Sequence, residues 1–223
     1  MAMRVIRDNP GRRLLKSSVV TIGNFDGLHR GHQALIGLCK SLAENRHSTA
    51  VVTFEPLPQA WFQPDTAPAR LMSVRQKLDF LAGEAIDLTW LMRFNQALAG
   101  MEPESFVRSV LVNTLSAKHV VVGEDFRYGN RRHGDIDSLR LSGERSGFKV
   151  HAVPMIDIDG CRASSSNIRE FLAAGDLRRA AHLLGRPFSM AGRVVGGRML
   201  GRELGYPTAN IRLAASPSPI KGV

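Results

Sequence analysis

Short apolar runs alternate with segments whose apolar residues recur at three- and four-residue spacing, and the alternation runs through most of the chain. Val19 to Ile22 is a β-branched run that suits a central parallel strand. Ala34, Leu35, Leu38 and Leu42 follow as a helical stripe, predicting a helix from near His32. Ser48 to Phe54 reads as the second strand and ends in Glu55-Pro56-Leu57-Pro58, where two prolines stop the ladder and fix a rigid loop. Ser73 and Gln76 have capping-box spacing ahead of a helix through Leu78 and Leu81. Residues 87–94 form a third strand candidate, and Pro103 to Leu115 a helix with Phe106, Val110 and Leu111 on one side. His119 to Val122 and Phe148 to Val153 are the fourth and fifth strands, and Asp176 to Leu184 is a last helix. Such alternation predicts an α/β fold, an open parallel sheet with helices on both faces and right-handed crossovers.

The pattern changes after Gly185-Arg186-Pro187-Phe188. Beyond it the chain is strand-like over Phe188 to Val195 and then glycine-rich, which divides it into residues 1–185 and 186–223. A length of 223 residues suits one to two domains. No run of eighteen apolar residues and no signal-peptide core is present, so neither membrane span nor export is expected. Cys39 and Cys161 lie far apart without metal-type pairing, as free thiols in a reducing cytoplasm would. A formal charge of +10 asks for an anionic partner. The basic residues are scattered and mostly arginine, which suits nucleotides and pyrophosphate at least as well as nucleic acid.

Candidate chemistry starts where the first strand meets the first helix, at Gly23-Asn24-Phe25-Asp26-Gly27-Leu28-His29-Arg30-Gly31-His32. Glycines let the backbone turn and let a ligand come close. Two imidazoles three positions apart at a helix start, beside unpaired N–H groups, can hold phosphate and donate to its oxygens. The alternative is a glycine-rich turn whose histidines only cap the helix. After the second strand come Trp61 and Phe62, for which a hydrophobic loop packed on the core is one of two readings, the other resting on a family resemblance. Gly123-Glu124-Asp125-Phe126-Arg127-Tyr128-Gly129 sets an acid and a base among aromatics on a ligand-facing loop, or is a solvated charged loop. Ser164, Ser165 and Ser166 form an N-cap signal with hydroxyls to spare.

Four stretches together resemble one family. Gly-Asn-Phe-Asp-Gly-Leu-His-Arg-Gly-His-Gln is similar to the signature of the bacterial bifunctional riboflavin kinase/FAD synthetases, and more broadly to the His-x-Gly-His motif of the nucleotidylyltransferases. The Glu-Pro-Leu-Pro loop, the Gly-x-Asp-Phe-Arg-Tyr-Gly loop and the Ser-Ser-Ser-x-x-Arg segment follow in the family's order. The resemblance implies a Rossmann-like sheet of the nucleotidylyltransferase type. It implies His29, His32 and Arg169 as catalytic groups on the ATP phosphates, and Gly23, Asn24, Phe25, Asp26, Gly31 and Ser164 to Ser166 as ATP-binding. It implies Pro56, Pro58, Phe62, Asp125, Arg127 and Tyr128 as FMN-binding, with Tyr128 in place of the usual Phe. Leu57 stands where the family often has His, and Ser166 where it has Thr. Gly205-Tyr206-Pro207-Thr208-Ala209-Asn210 resembles the opening of the riboflavin kinase module, in which Thr208 and Asn210 would meet ATP phosphates and Mg²⁺.

The implied reaction is attack of the FMN phosphate on the α-phosphorus of ATP, with Mg²⁺ bridging phosphate oxygens, to give FAD and pyrophosphate. The chain ends at Val223, leaving roughly thirty-five residues of the second module, too few to close a barrel. The expectation is therefore a fragment or shortened form without kinase activity. The rivals are a nucleotidylyltransferase acting on another phosphate, a basic RNA-binding module, and a catalytically silent flavin binder.

Overall fold

A computed structural model describes residues 2–8, 11–196, 205–206, 210–213 and 217–220. Its centre is a six-stranded sheet, wholly parallel, in the order β1 (Arg4–Arg7), β4 (Leu88–Arg93), β3 (Ser48–Glu55), β2 (Ser18–Ile22), β5 (Ala117–Gly123), β6 (Lys149–Val153). From β2 the chain winds outward through β3 and β4, then returns to lay β5 on the other side of β2. The order therefore reverses between β2 and β5, and a crevice opens beyond the carboxyl ends of strands at such a point.

The strands are buried on both faces because each face carries helices. On one face Val19, Val51 and Val121 meet α1 (Arg30–Ala43) and α3 (Val74–Gly83) through Leu35, Ile36, Cys39 and Leu81. On the other, Val20, Val52, Trp90 and Val120 meet Phe106, Val110, Leu111 and Leu139 from α5 (Pro103–Phe106), its continuation and α6 (Ile136–Ser146). Neighbouring residues of one strand thus serve opposite faces, as the two-residue side-chain period requires. Helix α5 runs on as a π-helix over Val107–Thr114, where the Leu115 N–H reaches the Val110 carbonyl.

The five expected strands are all present, with ends shifted by one or two residues, and β1 joins them as an edge. The first helix starts at Arg30 rather than His32, with His29 as its extended N-cap. The capping box of α3 forms as expected: Ser73 Oγ accepts the Gln76 N–H, and Gln76 Oε1 accepts the Ser73 N–H. The loop predicted around Trp61 is instead the short helix α2 (Pro58–Phe62), with Pro58 at its first position, where a missing N–H costs nothing. Helix α4 (Gln96–Ala99) precedes α5.

After β6 a small antiparallel pair, β7 (Asp157–Ile158) and β8 (Cys161–Arg162), leads into α7 (Ser165–Ala173) and α8 (Leu177–Leu184). These two helices close a separate apolar cluster around Leu71, Ile168, Leu172 and Leu183. Antiparallel β9 (Gly192–Val195) and β10 (Asn210–Leu213) follow. No helix among the described residues is long and apolar enough to cross a membrane.

Candidate active site

The loop between β2 and α1 lies at the reversal in strand order. Three of its residues hold positive φ: Phe25 at 47°, Gly27 at 86° and Leu28 at 44°. Two of the three are not glycine, so the conformation costs on the order of 1–3 kcal/mol at each and persists only because its surroundings hold it. Lys77 does so from below. Its ammonium, wholly buried, donates to the Asn24 carbonyl at 2.7 Å and to Thr53 Oγ1 at 3.2 Å, and Thr53 Oγ1 donates to the same carbonyl. Arg186 holds the next peptides, donating to the carbonyls of Gly27 at 2.7 Å and Leu28 at 3.3 Å. A trans peptide points its N–H opposite to its C=O. Carbonyls so held turn the N–H groups of Phe25, Leu28 and His29 the opposite way, away from Lys77 and Arg186, where successive amides can meet an anion.

At the mouth of α1 the rings of His29 and His32 stack, centroids 3.7 Å apart and planes 26° apart. Burial, reinforced by Arg162, Arg169 and Arg186, pushes the His29 pKa down to about 4. Burial and then His29 and Lys77 hold His32 well below the ordinary imidazole value. Both rings are thus neutral at pH 7. In each, Nδ1 is buried without a hydrogen-bond partner. A proton there would be a buried, unpaired donor, so the tautomer with Nε2–H is favoured and each ring offers Nε2–H to a ligand. Gly31 lets the turn close: a Cβ there would lie 3.1 Å from the His29 ring and 3.3 Å from the Ala163 carbonyl.

The start of α7 comes to the same place. Ser164 caps it, its Oγ accepting the Asn167 N–H, and Ser165 Oγ donates to the Asp26 carbonyl at 2.8 Å. Arg169 Nη2 meets Asp26 Oδ2 at 2.6 Å and Nε donates to the Ala69 carbonyl at 2.6 Å. Nη1 makes no hydrogen bond among the described residues. The paired imidazoles, the serines and Arg169 are brought together. Phe25 and Asp26 turn their side chains inward, Phe25 into the core and Asp26 onto Arg169 and the Leu71 N–H, so what these positions can offer a nucleotide is backbone.

On the other side of Gly23 and Asn24 a cavity of about 680 Å³ opens, a size suited to a drug-sized ligand. Pro58, Phe62, Phe94, Asp125, Arg127 and Tyr128 are among its lining residues; Pro56 is not. Phe62 is 60% exposed and meets Phe94 edge-on at 5.7 Å. Phe126 and Tyr128 stack at 5.6 Å. Asp125 pairs with Arg162 at 2.6 Å, and Arg127 with Asp135 at 3.1 Å. Leu57, the N-cap of α2, is buried, so the position often held by His points into protein here.

Lys77, Arg162 and Arg186 are site residues that the sequence reading passes over. The buried residues of α3 are Lys77 and Leu81. The spacing of four from Leu81 is the signal that could have found Lys77. Asn210 is exposed in β10 opposite Val195, and Thr208 lies outside the described residues. Among the described residues no group of three or more His, Cys, Asp or Glu is arranged to hold a metal ion.

Known proteins share this organisation. The family model described as FAD synthetase matches residues 12–167, and that described as riboflavin kinase matches residues 184–223. The chain is 45% identical over 209 residues to a bifunctional riboflavin kinase/FMN adenylyltransferase of Pseudomonas fluorescens, covering 93% of this chain and 67% of that protein. It is 41% identical over 224 residues to the protein of the same name from Escherichia coli K12, covering 99% and 72%. A crystal structure of a Streptococcus pneumoniae protein named as a macrolide-efflux protein superposes with a TM-score of 0.83 at 26% identity, covering all of this chain and 73% of that one. By the extent of the first match and the closeness of these relatives, the chain belongs to the FAD synthetase family.

Proposed function

We propose that this protein transfers the adenylyl group of Mg-ATP to the phosphate of FMN, releasing pyrophosphate and forming FAD. One observation carries the reading: the Gly23–Asn24 turn belongs both to the phosphate-facing loop and to the wall of the aromatic cavity. A nucleotide on the loop and a flavin in the cavity would meet there. The fold, the family match and the names of the relatives support the same reaction.

The FMN phosphate has a second pKa of about 6 and is mostly dianionic at pH 7, so it attacks the α-phosphorus without a protein base. Neutral His29 and His32 donate Nε2–H to the phosphate oxygens where charge grows, and the α1 amides and Arg169 take up charge on the departing pyrophosphate. Phe62, Phe94 and the edge of Tyr128 flank the flavin ring, and Arg127 meets its phosphate. Mg²⁺ enters on the nucleotide as part of the substrate, its remaining ligands water and at most a carboxylate such as Asp125. Two free thiols suit work in the reducing cytoplasm. Residues 1–185 form the adenylyltransferase module and 186–223 begin the kinase module.

The test is one assay of the whole chain with FMN and Mg-ATP, reading FAD and pyrophosphate together, and riboflavin with Mg-ATP in parallel for kinase action. Stoichiometric FAD and pyrophosphate are expected. FMN binding without pyrophosphate release would overturn the reading.

A further inference from the structure

We propose that Arg186, at the head of the segment that matches the riboflavin kinase model, is a positioning residue for the adenylyltransferase site, holding its phosphate loop in shape from outside that module's own matched span. The inference rests on the adenylyltransferase reading for what the loop binds.

Arg186 lies nineteen positions beyond the last residue of the FAD synthetase match and inside the riboflavin kinase match. Its guanidinium nevertheless grips the loop between β2 and α1. Nη2 donates to the Gly27 carbonyl at 2.7 Å, and Nη1 donates to the carbonyls of Leu28 and Leu184, each at 3.3 Å. The guanidinium carbon itself lies over the Phe80 ring of α3, 4.0 Å from the centroid. Gln33 Nε2 makes a parallel link, donating at 2.9 Å to the carbonyls of Leu28 and Leu184. Arg30 Nε makes a third, to the His182 carbonyl at 3.0 Å. The end of α8 is thus tied to the loop at several points, with Arg186 at the centre.

Two consequences follow. Gly27 and Leu28 are positive-φ residues whose carbonyls Arg186 pins, so it opposes the relaxation of a strained loop and keeps the Leu28 and His29 N–H groups turned away from its own guanidinium. It also supplies charge. Arg169 and Arg162 are each paired with a carboxylate, Asp26 and Asp125, whereas Arg186 has no carboxylate partner among the described residues. It is near enough to help depress the His29 pKa. A planar fork is needed to reach separate carbonyls while stacking on a ring, which lysine cannot copy.

The experiment compares the whole chain with Arg186→Gln and Arg186→Lys. ATP affinity is read by calorimetry with Mg-ATP alone, and FMN affinity by quenching of flavin fluorescence. KM for Mg-ATP, kcat for FAD and the thermal midpoint complete the set. Arg186→Gln is expected to raise the Kd and KM for Mg-ATP at least tenfold and to lower kcat, with the Kd for FMN within twofold of the parent. Arg186→Lys, keeping the cation but not the fork, is expected to recover the thermal midpoint and only part of the ATP affinity. Should Arg186→Gln fail to fold, Arg186→Lys carries the test, with a severalfold rise in ATP KM expected. ATP binding within twofold of the parent in both variants would overturn the proposal. So would parallel losses of FMN affinity, ATP affinity and thermal midpoint, which mark a purely structural role. If the parent binds Mg-ATP but makes no FAD, the adenylyltransferase reading fails while the ATP arm still decides on Arg186. A parent that binds no ATP refutes both.

Discussion

The two halves of the site are built on opposite plans. Between β2 and α1 the working groups are backbone amides and two nearly buried imidazoles, with Lys77 and Arg186 setting the carbonyls from behind. In the cavity beyond Gly23 the surfaces are side chains: rings of Phe62, Phe94, Phe126 and Tyr128 and the half-exposed pairs Arg127–Asp135 and Arg162–Asp125. The first half is the more buried, so a donor there faces little competition from water. The second is open, its energy coming from apolar contact area and from salt bridges that solvent screens. Loss of a group should therefore be severe and confined to ATP binding and chemistry in the first half, and modest and confined to flavin affinity in the second.

The sharpest break would come at His32. Replacing it by alanine removes one donor at the start of α1 and should lower kcat for FAD by on the order of a hundredfold, with FMN affinity nearly unchanged. Steady-state kinetics with fluorescence titration of FMN check this. FAD formation near the parent rate would erase the division between the halves.

Next in size is a dependence on acid that belongs to the buried half. In the unfolded chain His29 titrates near 6.5, whereas in the folded protein its pKa is about 4. On acidification the unfolded state takes up this proton first, so stability is fully present above pH 6.5 and falls as pH drops toward 4. The loss from this residue should reach about 2 kcal/mol by pH 5. The lowered values of His32, His119 and His151 act in the same direction. Urea midpoints at pH 7, 6 and 5, in the parent and in His29→Gln, read the effect. A parent whose midpoint does not move, or a variant that moves as much, would show that His29 is not held neutral by burial.

Phe62→Ala tests the open half. An aromatic pair contributes about 1 kcal/mol beyond its area, so the FMN Kd should rise about tenfold once lost area is added. KM for Mg-ATP and the thermal midpoint should hold, because the ring is mostly exposed and supports little of the fold. A change in ATP affinity would mean the halves are not separate.

What could be read from the residues follows the same division. Strands with β-branched runs and helices with apolar stripes were legible because two-faced burial leaves a periodic mark, as at Val19–Ile22 and Ser48–Phe54. The edge strand Arg4–Arg7 was not, since two apolar residues between arginines carry no period and only pairing with β4 makes them a strand. His29 and His32 were legible because an imidazole pair at a strand–helix junction is a chemical pattern in the chain itself. Lys77 and Arg186 were not, because they act on backbone carbonyls 53 and 159 positions away, and a carbonyl has no letter in a sequence. Asp26 was legible as a member of the loop but not as the buried partner of Arg169, 143 positions on.

The smallest effect lies within one side chain. Tyr128 lines the cavity with its ring, stacked on Phe126 with planes 13° apart, while its hydroxyl faces Ser138 and Ser142 of α6. Burial pushes the phenol pKa up, as for a hydroxyl held within the protein. Ring and hydroxyl therefore have different duties, and Tyr128→Phe separates them. The ring's stacking survives, so the FMN Kd should stay within twofold. Ser138 also bonds Asp135, both backbone and side chain, and so keeps a partner when the phenol is gone. The cost in stability should then be no more than about 1 kcal/mol, the net worth of one neutral hydrogen bond. Urea denaturation measures the second number and flavin fluorescence the first. A large rise in FMN Kd with stability unchanged would put the hydroxyl on the flavin, and would make the open half depend on a polar contact as the buried half does.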